Sequence, residues 1–240
     1  MNTYNRKIVL DTETTGINSH GSVYLNHRII EIGAIEIIDR HITKNNFHVY
    51  LNPNRLIDKG AYKIHGISNK FLLDKPNFSD IYEKFIKYIK NSELIIHNSK
   101  FDLSFLNYEL NLLNKNIPEI LNYCTVLDTL KLSRKIFPGK KNSLEALCKR
   151  YKINYHRKLH SAILDAKLLA KVYLLMTAHQ QSFFSMNNSN SLISKININS
   201  ICNQKAIVKY ANKKENYMHI KYLKNMKRKG RCLWIKNINK

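Results

Sequence analysis

The chain has 240 residues, 44% of them hydrophobic, and its 40 Lys and Arg against 17 Asp and Glu give a net charge of +23. That length suits one domain with an appendage or two small domains, and so positive a field favours a polyanionic partner, although Lys, Asn and Ile are abundant throughout, as an AT-rich genome produces. Cys124, Cys148, Cys202 and Cys232 form no C-x-x-C pair, which argues against a zinc cage or disulfide framework. The apolar run Ile8–Leu10 is too short for a signal-peptide core, and no stretch approaches the ~18 apolar residues of a membrane span; a cytoplasmic chain without a membrane partner is expected.

Ile8–Leu10 reads as a short buried strand running into Asp11-Thr12-Glu13. Arg28–Ile38 and Phe47–Leu51 carry β-branched and aromatic residues in strand-like runs, with His41–Asn46 as the turn region between them. Phe78–Ile89 has helical spacing, with apolar residues at Phe78, Ile81, Phe85, Ile86 and Ile89. Glu93–Ile96 is a further short strand, Phe101–Leu113 a helix, and Tyr123–Leu127 a strand followed by helix to Ile136. Asn142 and Glu145 resemble a capping pair for a helix over Ser143–Tyr151, and Ser161–Met176 is the longest clear helix. Strands first, then strands alternating with helices, imply an α/β fold with a mixed sheet flanked by helices.

Composition changes after Met176. Residues 179–202 lack acids and are rich in Asn, Ser and Gln, as a flexible linker is. Asn203–Lys240 holds 12 Lys and Arg and one acid, Glu215. This basic tail, with sparse apolar anchors such as Trp234, has the character of a segment that folds on a partner. The expected divisions are 1–178, 179–202 and 203–240.

Three constellations carry chemistry. Residues two apart on a strand share a face, so Asp11 and Glu13 aim two carboxylates at one point. Such a pair repels unless a cation lies between them, and Mg²⁺ or Mn²⁺ suits oxygen ligands. Asp102 follows the buried strand Glu93–Ile96, at the start of a helix, where site residues collect. Asp165 sits in the apolar segment AILDAKLLA, where a charge is costly unless paired or metal-bound. His160 lies five residues earlier, about 140° away on an ideal helix. It reaches the same point only from at or before the first turn. His156 and His160 have zinc-pair spacing, but HRKLH lacks an intervening Glu and no third ligand is evident.

In order and spacing, VLDTETTG, HNSKFDLSFL and HSAILDA resemble the DEDD superfamily of exonucleases, which has a ribonuclease H-like fold. His160, five residues before the last acid, with Ser161 four before it, resembles the histidine branch. RIIEIGAIEI, NNFHVYLNP, KIHGISNKFLLDKP, FPGKKNSLEALCKRY and the terminal GRCLW are similar to the proofreading epsilon subunits of bacterial DNA polymerase III, almost continuously over residues 7–177. The resemblance implies two divalent cations, Mg²⁺ or Mn²⁺, on Asp11, Glu13, Asp102 and Asp165, with His160 as general base. It implies substrate contacts at Asp11, Glu13, Asp165 and His65. Gly60 stands where relatives can carry a substrate-contacting acid, and Asp128 matches a family acid assigned to structure. Implied partners are DNA 3′ ends, the polymerase (alpha) subunit through the tail, a sliding clamp through Gln180-Gln181-Ser182-Phe183-Phe184, and a small third core subunit found in some relatives. The clamp-type peptide departs from the family pattern at Ser185. The competing readings are a histidine-branch ribonuclease trimming RNA, which needs no docking tail, and a non-catalytic nucleic-acid-binding protein, which needs no four acids and a histidine at these spacings.

Overall fold

A computed structural model describes residues 6–113, 116–154, 159–178 and 210–229. The chain divides into two compact units, Met1–Ser185 and Met186–Lys240. In the first, five strands form a mixed sheet: β1 (Arg6–Thr14), β2 (Ile29–Ile38), β3 (His41–Tyr50), β4 (Glu93–Ile96) and β5 (Thr125–Asp128), in the order β3-β2-β1-β4-β5. The first three strands pair antiparallel, and β4 and β5 join β1 in parallel.

Strand alternation sorts the core onto two faces. On β1, Ile8 and Leu10 pack with Phe78, Phe85 and Phe105 from α3 (Phe78–Ile89) and α4 (Ser99–Leu112), whereas Val9 packs with Ala166, Leu169 and Tyr173 of α7 (Ala162–Met176). Ile8, Val9 and Leu10 are wholly buried, each contributing about 1.5–3 kcal/mol. Continued along the strand, the period sends Asp11 and Glu13 to the α7 side and Thr12 to the α4 side.

β1 is longer than its apolar run because hydrogen bonds to β2 continue through the polar residues, as far as Thr14 opposite Ile29. β3 likewise begins at His41, so the expected turn over His41–Asn46 is corrected. The turn is Asp39-Arg40, both at positive φ (46° and 66°), with Ile38 opposite His41, a two-residue hairpin loop matched to strand twist.

α1 (Lys59–His65) and α2 (Asn69–Leu72) were not expected from the sequence. α1 ends at Gly66, whose φ of 70° places it in the left-handed region that glycine adopts cheaply. Residues 129–136 form α5 and 144–150 form α6. The cap of α6 is Ser143, whose hydroxyl accepts from the Ala146 N–H, and not Asn142. The Asn142 amide instead donates to the Phe137 and Lys140 carbonyls.

In the second unit the described residues form α8 (Lys213–Lys229). Its N-terminus is a reciprocal box in which Asn212 N–H donates to Glu215 and Glu215 N–H to Asn212, both at 2.8 Å. The tail's one acid is thus committed to starting its helix. Among the described residues no helix is long and apolar enough to cross a membrane. Cys202, Cys232, Trp234, His156 and the peptide Gln180–Phe184 lie outside the described residues.

Candidate active site

The candidate residues gather at the end of β1, where α4 and α7 begin. Donor atoms of Glu13, His160 and Asp165 all lie within 4.8 Å of one another. Asp11 stands two residues before Glu13, opposite Gly33 in the β2 register. Asp102, 3% exposed in the first turn of α4, approaches from the other side of β1, its Oδ1 accepting the Thr12 hydroxyl at 2.7 Å. Burial raises its carboxyl to about 7, against the lowering effect of that hydrogen bond. Two buried carboxylates, Asp102 and Asp165, beside Glu13 and the imidazole make a donor set that divalent cations fit, since a cation offsets the cost of burying the charge.

His160 lies just outside α7, as the helical geometry requires of a residue five before Asp165. Its Nδ1 is 3.2 Å from Asp165 Oδ2, and its backbone N–H donates to Ile64 O at the end of α1. The next two residues are held by Glu31. This fully buried carboxylate accepts from Ser161 Oγ at 2.9 Å, from Ala162 N–H at 3.1 Å and from His48 Nε2 at 2.8 Å. Burial pushes the Glu31 carboxyl up, but those hydrogen bonds outweigh it and keep the group below its ordinary value. Gly33, two residues on, lets α7 sit directly on the sheet: a Cβ there would fall into the backbone of Ala162 and Ile163.

Beside the acids is a cavity of about 470 Å³, lined among others by Glu13, Asp58, Gly60, Ile64, His65 and Phe101. His65 is buried, and burial holds its imidazole below the ordinary value. Its Nδ1 accepts from Ile67 N–H at 3.0 Å, so the proton sits on the buried Nε2. Gly60 lines the cavity with backbone alone, and open space surrounds its absent side chain. Asp128 caps α5 through the N–H groups of Leu130 and Lys131 and accepts from Ser99, while its charge adds to the raising of the Asp102 carboxyl. Sequence reasoning missed Glu31 and Asp58. Glu31 had a signal, since strand alternation in IIEIGAIEII places an acid on a buried face.

A mixed sheet with β1 at its centre thus carries a carboxylate–histidine cluster at that strand's end, a donor set of the kind that holds divalent cations. The family model described as an exonuclease matches residues 8–173. The chain is 55% identical to the DNA polymerase III subunit epsilon of Buchnera aphidicola subsp. Baizongia pistaciae, covering 99% of both chains. It is 48% identical to that of Escherichia coli K12, covering 95% of this chain and 97% of the other. Among solved structures, exonuclease X in complex with 5′ overhanging duplex DNA superposes with a TM-score of 0.56 at 27% identity, covering 72% of this chain and 92% of that one. The nuclease domain of 3′hExo, a DEDDh family member bound to rAMP, shares the fold with a TM-score of 0.62 at 18% identity, covering 73% and 93%.

The chain belongs to the exonuclease family and, within it, to the DNA polymerase III epsilon subunits. Membership carries a divalent-metal-dependent 3′→5′ exonuclease activity with a proofreading function.

Proposed function

We propose that Asp11, Glu13, Asp102 and Asp165 hold two cations, Mg²⁺ or Mn²⁺, and that His160 is the general base for hydrolysis of the 3′-terminal phosphodiester of DNA. The convergence of Glu13, His160 and Asp165 within 4.8 Å, from segments some 150 residues apart in the chain, carries this reading.

Held by those carboxylates, the cations would lower the pKa of the attacking water and offset charge on the departing 3′ oxygen. Asp165 Oδ2 orients His160 through Nδ1, and Nε2 takes the proton of the attacking water. The 470 Å³ cavity receives the terminal nucleotide between His65 and Phe101. Gly60 contributes backbone only. Selection of mispaired ends needs no reading of bases, because a mismatched terminus frays into a single-strand site at lower cost. The product is a 5′-mononucleotide.

Residues 1–178 form the nuclease domain and 203–240 the segment that docks on the polymerase alpha subunit, with 179–202 between them. The clamp peptide Gln180–Phe184 and a third core subunit complete the proposed contacts, in the bacterial cytoplasm.

The test is release of mononucleotides from matched and mismatched primer ends, with Mg²⁺ or Mn²⁺ against chelator. Cation-dependent release, faster from the mismatch, is expected; binding of the primer with no nucleotide released would overturn the reading. Asp11→Ala and Asp165→Ala should each abolish release while leaving the far-UV circular dichroism unchanged. Either variant cutting at near-parent rate removes that residue from the metal set.

A further inference from the structure

α8 carries its charge on one side. Lys213, Lys214, Lys221, Lys224, Lys227 and Arg228 fall within an arc of roughly 140° on an ideal helix, and all six are exposed. Tyr217 and Ile220 share that arc, and no acid does. Glu215, the helix's one acid, projects to the far side and is bonded to Asn212 at the helix start. Met218, Tyr222 and Met226, spaced at i, i+4 and i+8, lie opposite the cations and are also exposed.

A lysine-rich composition by itself scatters cations around a helix. Here the one Lys or Arg of α8 outside the arc is Lys229, its last residue, so the cations are segregated onto less than half of the circumference. The arc also has two flanks. Lys214 and Lys221 stand on one, Lys213 and Lys227 on the other, and Lys224 and Arg228 between them. From Lys213 to Arg228 the ridge runs about 22 Å at 1.5 Å per residue.

We propose that the basic face of α8 binds the sugar–phosphate backbone of duplex DNA, at a surface separate from the catalytic cavity. A duplex is a dense polyanion, with one charge per roughly 1.7 Å of axis. Its major groove is about 12 Å wide, admits a helix and is walled by phosphates on both sides, which suits cations on both flanks. Contacts of this kind position a protein without reading sequence. Met218, Tyr222 and Met226 remain available on the other side for a protein partner. A membrane surface fits less well, because a helix lying in that interface buries a broad face of Trp, Phe or Leu, and the exposed apolar side of α8 is Met, Tyr and Met. Duplex DNA is also what a polymerase subunit has beside it.

The test is fluorescence anisotropy of the full chain with a labelled blunt duplex, in chelator so that nothing is cut, over a range of salt. Replacing Lys221, Lys224 and Arg228 together by Gln should raise Kd at least about tenfold and lower the slope of log Kd against log salt by about 2–3, with the helical circular dichroism kept. Removing the same charge from the exposed side of α3, by Gln at Lys84, Lys87 and Lys90, should leave the slope near that of the parent. The charge-keeping pair Lys221→Arg and Lys224→Arg should bind as the parent does. With Mg²⁺ restored, all variants should release mononucleotides from a short single strand at the parent rate. An unchanged slope in the α8 variant, an equal loss in the α3 variant, or a loss in the arginine pair as large as in the glutamine variant overturns the proposal. So does tighter binding of the parent to vesicles of phosphatidylglycerol and phosphatidylcholine than to the duplex, which would assign the face to a membrane. The nuclease reading stands or falls separately, on release from the single strand.

Discussion

Asp102 is 3% exposed in the first turn of α4, and that depth, a product of α4 packing on β1, decides its protonation. Burial lifts its carboxyl to about 7, so the native state holds a proton that the unfolded chain releases near the ordinary carboxylate value. Between those two pH values stability of the metal-free protein falls as pH rises, and above them the full cost of a buried charge remains. Asp102→Asn should therefore raise Tm of the chelator-treated protein by about 2–4 °C or more near pH 8, with the difference vanishing by about pH 4. Saturating divalent cation should reverse the order, because only the parent gains binding energy. Differential scanning fluorimetry reads all three. A metal-free variant no more stable than its parent near pH 8 would show the carboxylate to be compensated within the protein.

Helical spacing in α3 and apolar runs in β4 and α7 were legible, and all three fall within a residue of their expected bounds. α1 and α2 were not, since 7 and 4 residues burying only His65 and Leu72 between them leave no helical period to detect. The start of β3 was misplaced because its first half is exposed polar sequence held by pairing to β2. Least legible was the clamp on α7, for Glu31 and its partners Ser161 and Ala162 are some 130 residues apart. That clamp sets where the helix carrying Asp165 begins and where His160 hangs. Removing all three acceptor contacts in Glu31→Ala should cut kcat by at least about tenfold, a loss of roughly 1.4 kcal/mol of transition-state stabilisation, with KM for DNA little changed. Ser161→Ala, which removes one contact, should lie between. A loss of Tm in Glu31→Ala with kcat unchanged would reduce Glu31 to scaffolding. Gly33→Ala tests the same junction by steric means, since its methyl meets the α7 backbone; it should lower both kcat and Tm.

For the whole molecule, composition sets an acid-bearing N-terminal region apart from a basic tail, and the first compact unit of the chain is Met1–Ser185. A chain cut after residue 178 should retain mononucleotide release and lose co-purification with the polymerase alpha subunit; retention of the polymerase would relocate the docking surface to the nuclease domain. The contributors to the candidate site are dispersed over nearly all of that first unit, from Asp11 to Asp165. Glu13 and Asp165 meet only after β1 has acquired neighbours on both sides and α7 has closed over it. Non-local closure of this kind is slow relative to local helix formation. On the ribosome, therefore, a nascent chain has no complete centre until its last domain helix has emerged and docked, and partly folded chains are inert towards DNA. Recovery of nuclease activity during refolding should accordingly lag the recovery of helical signal.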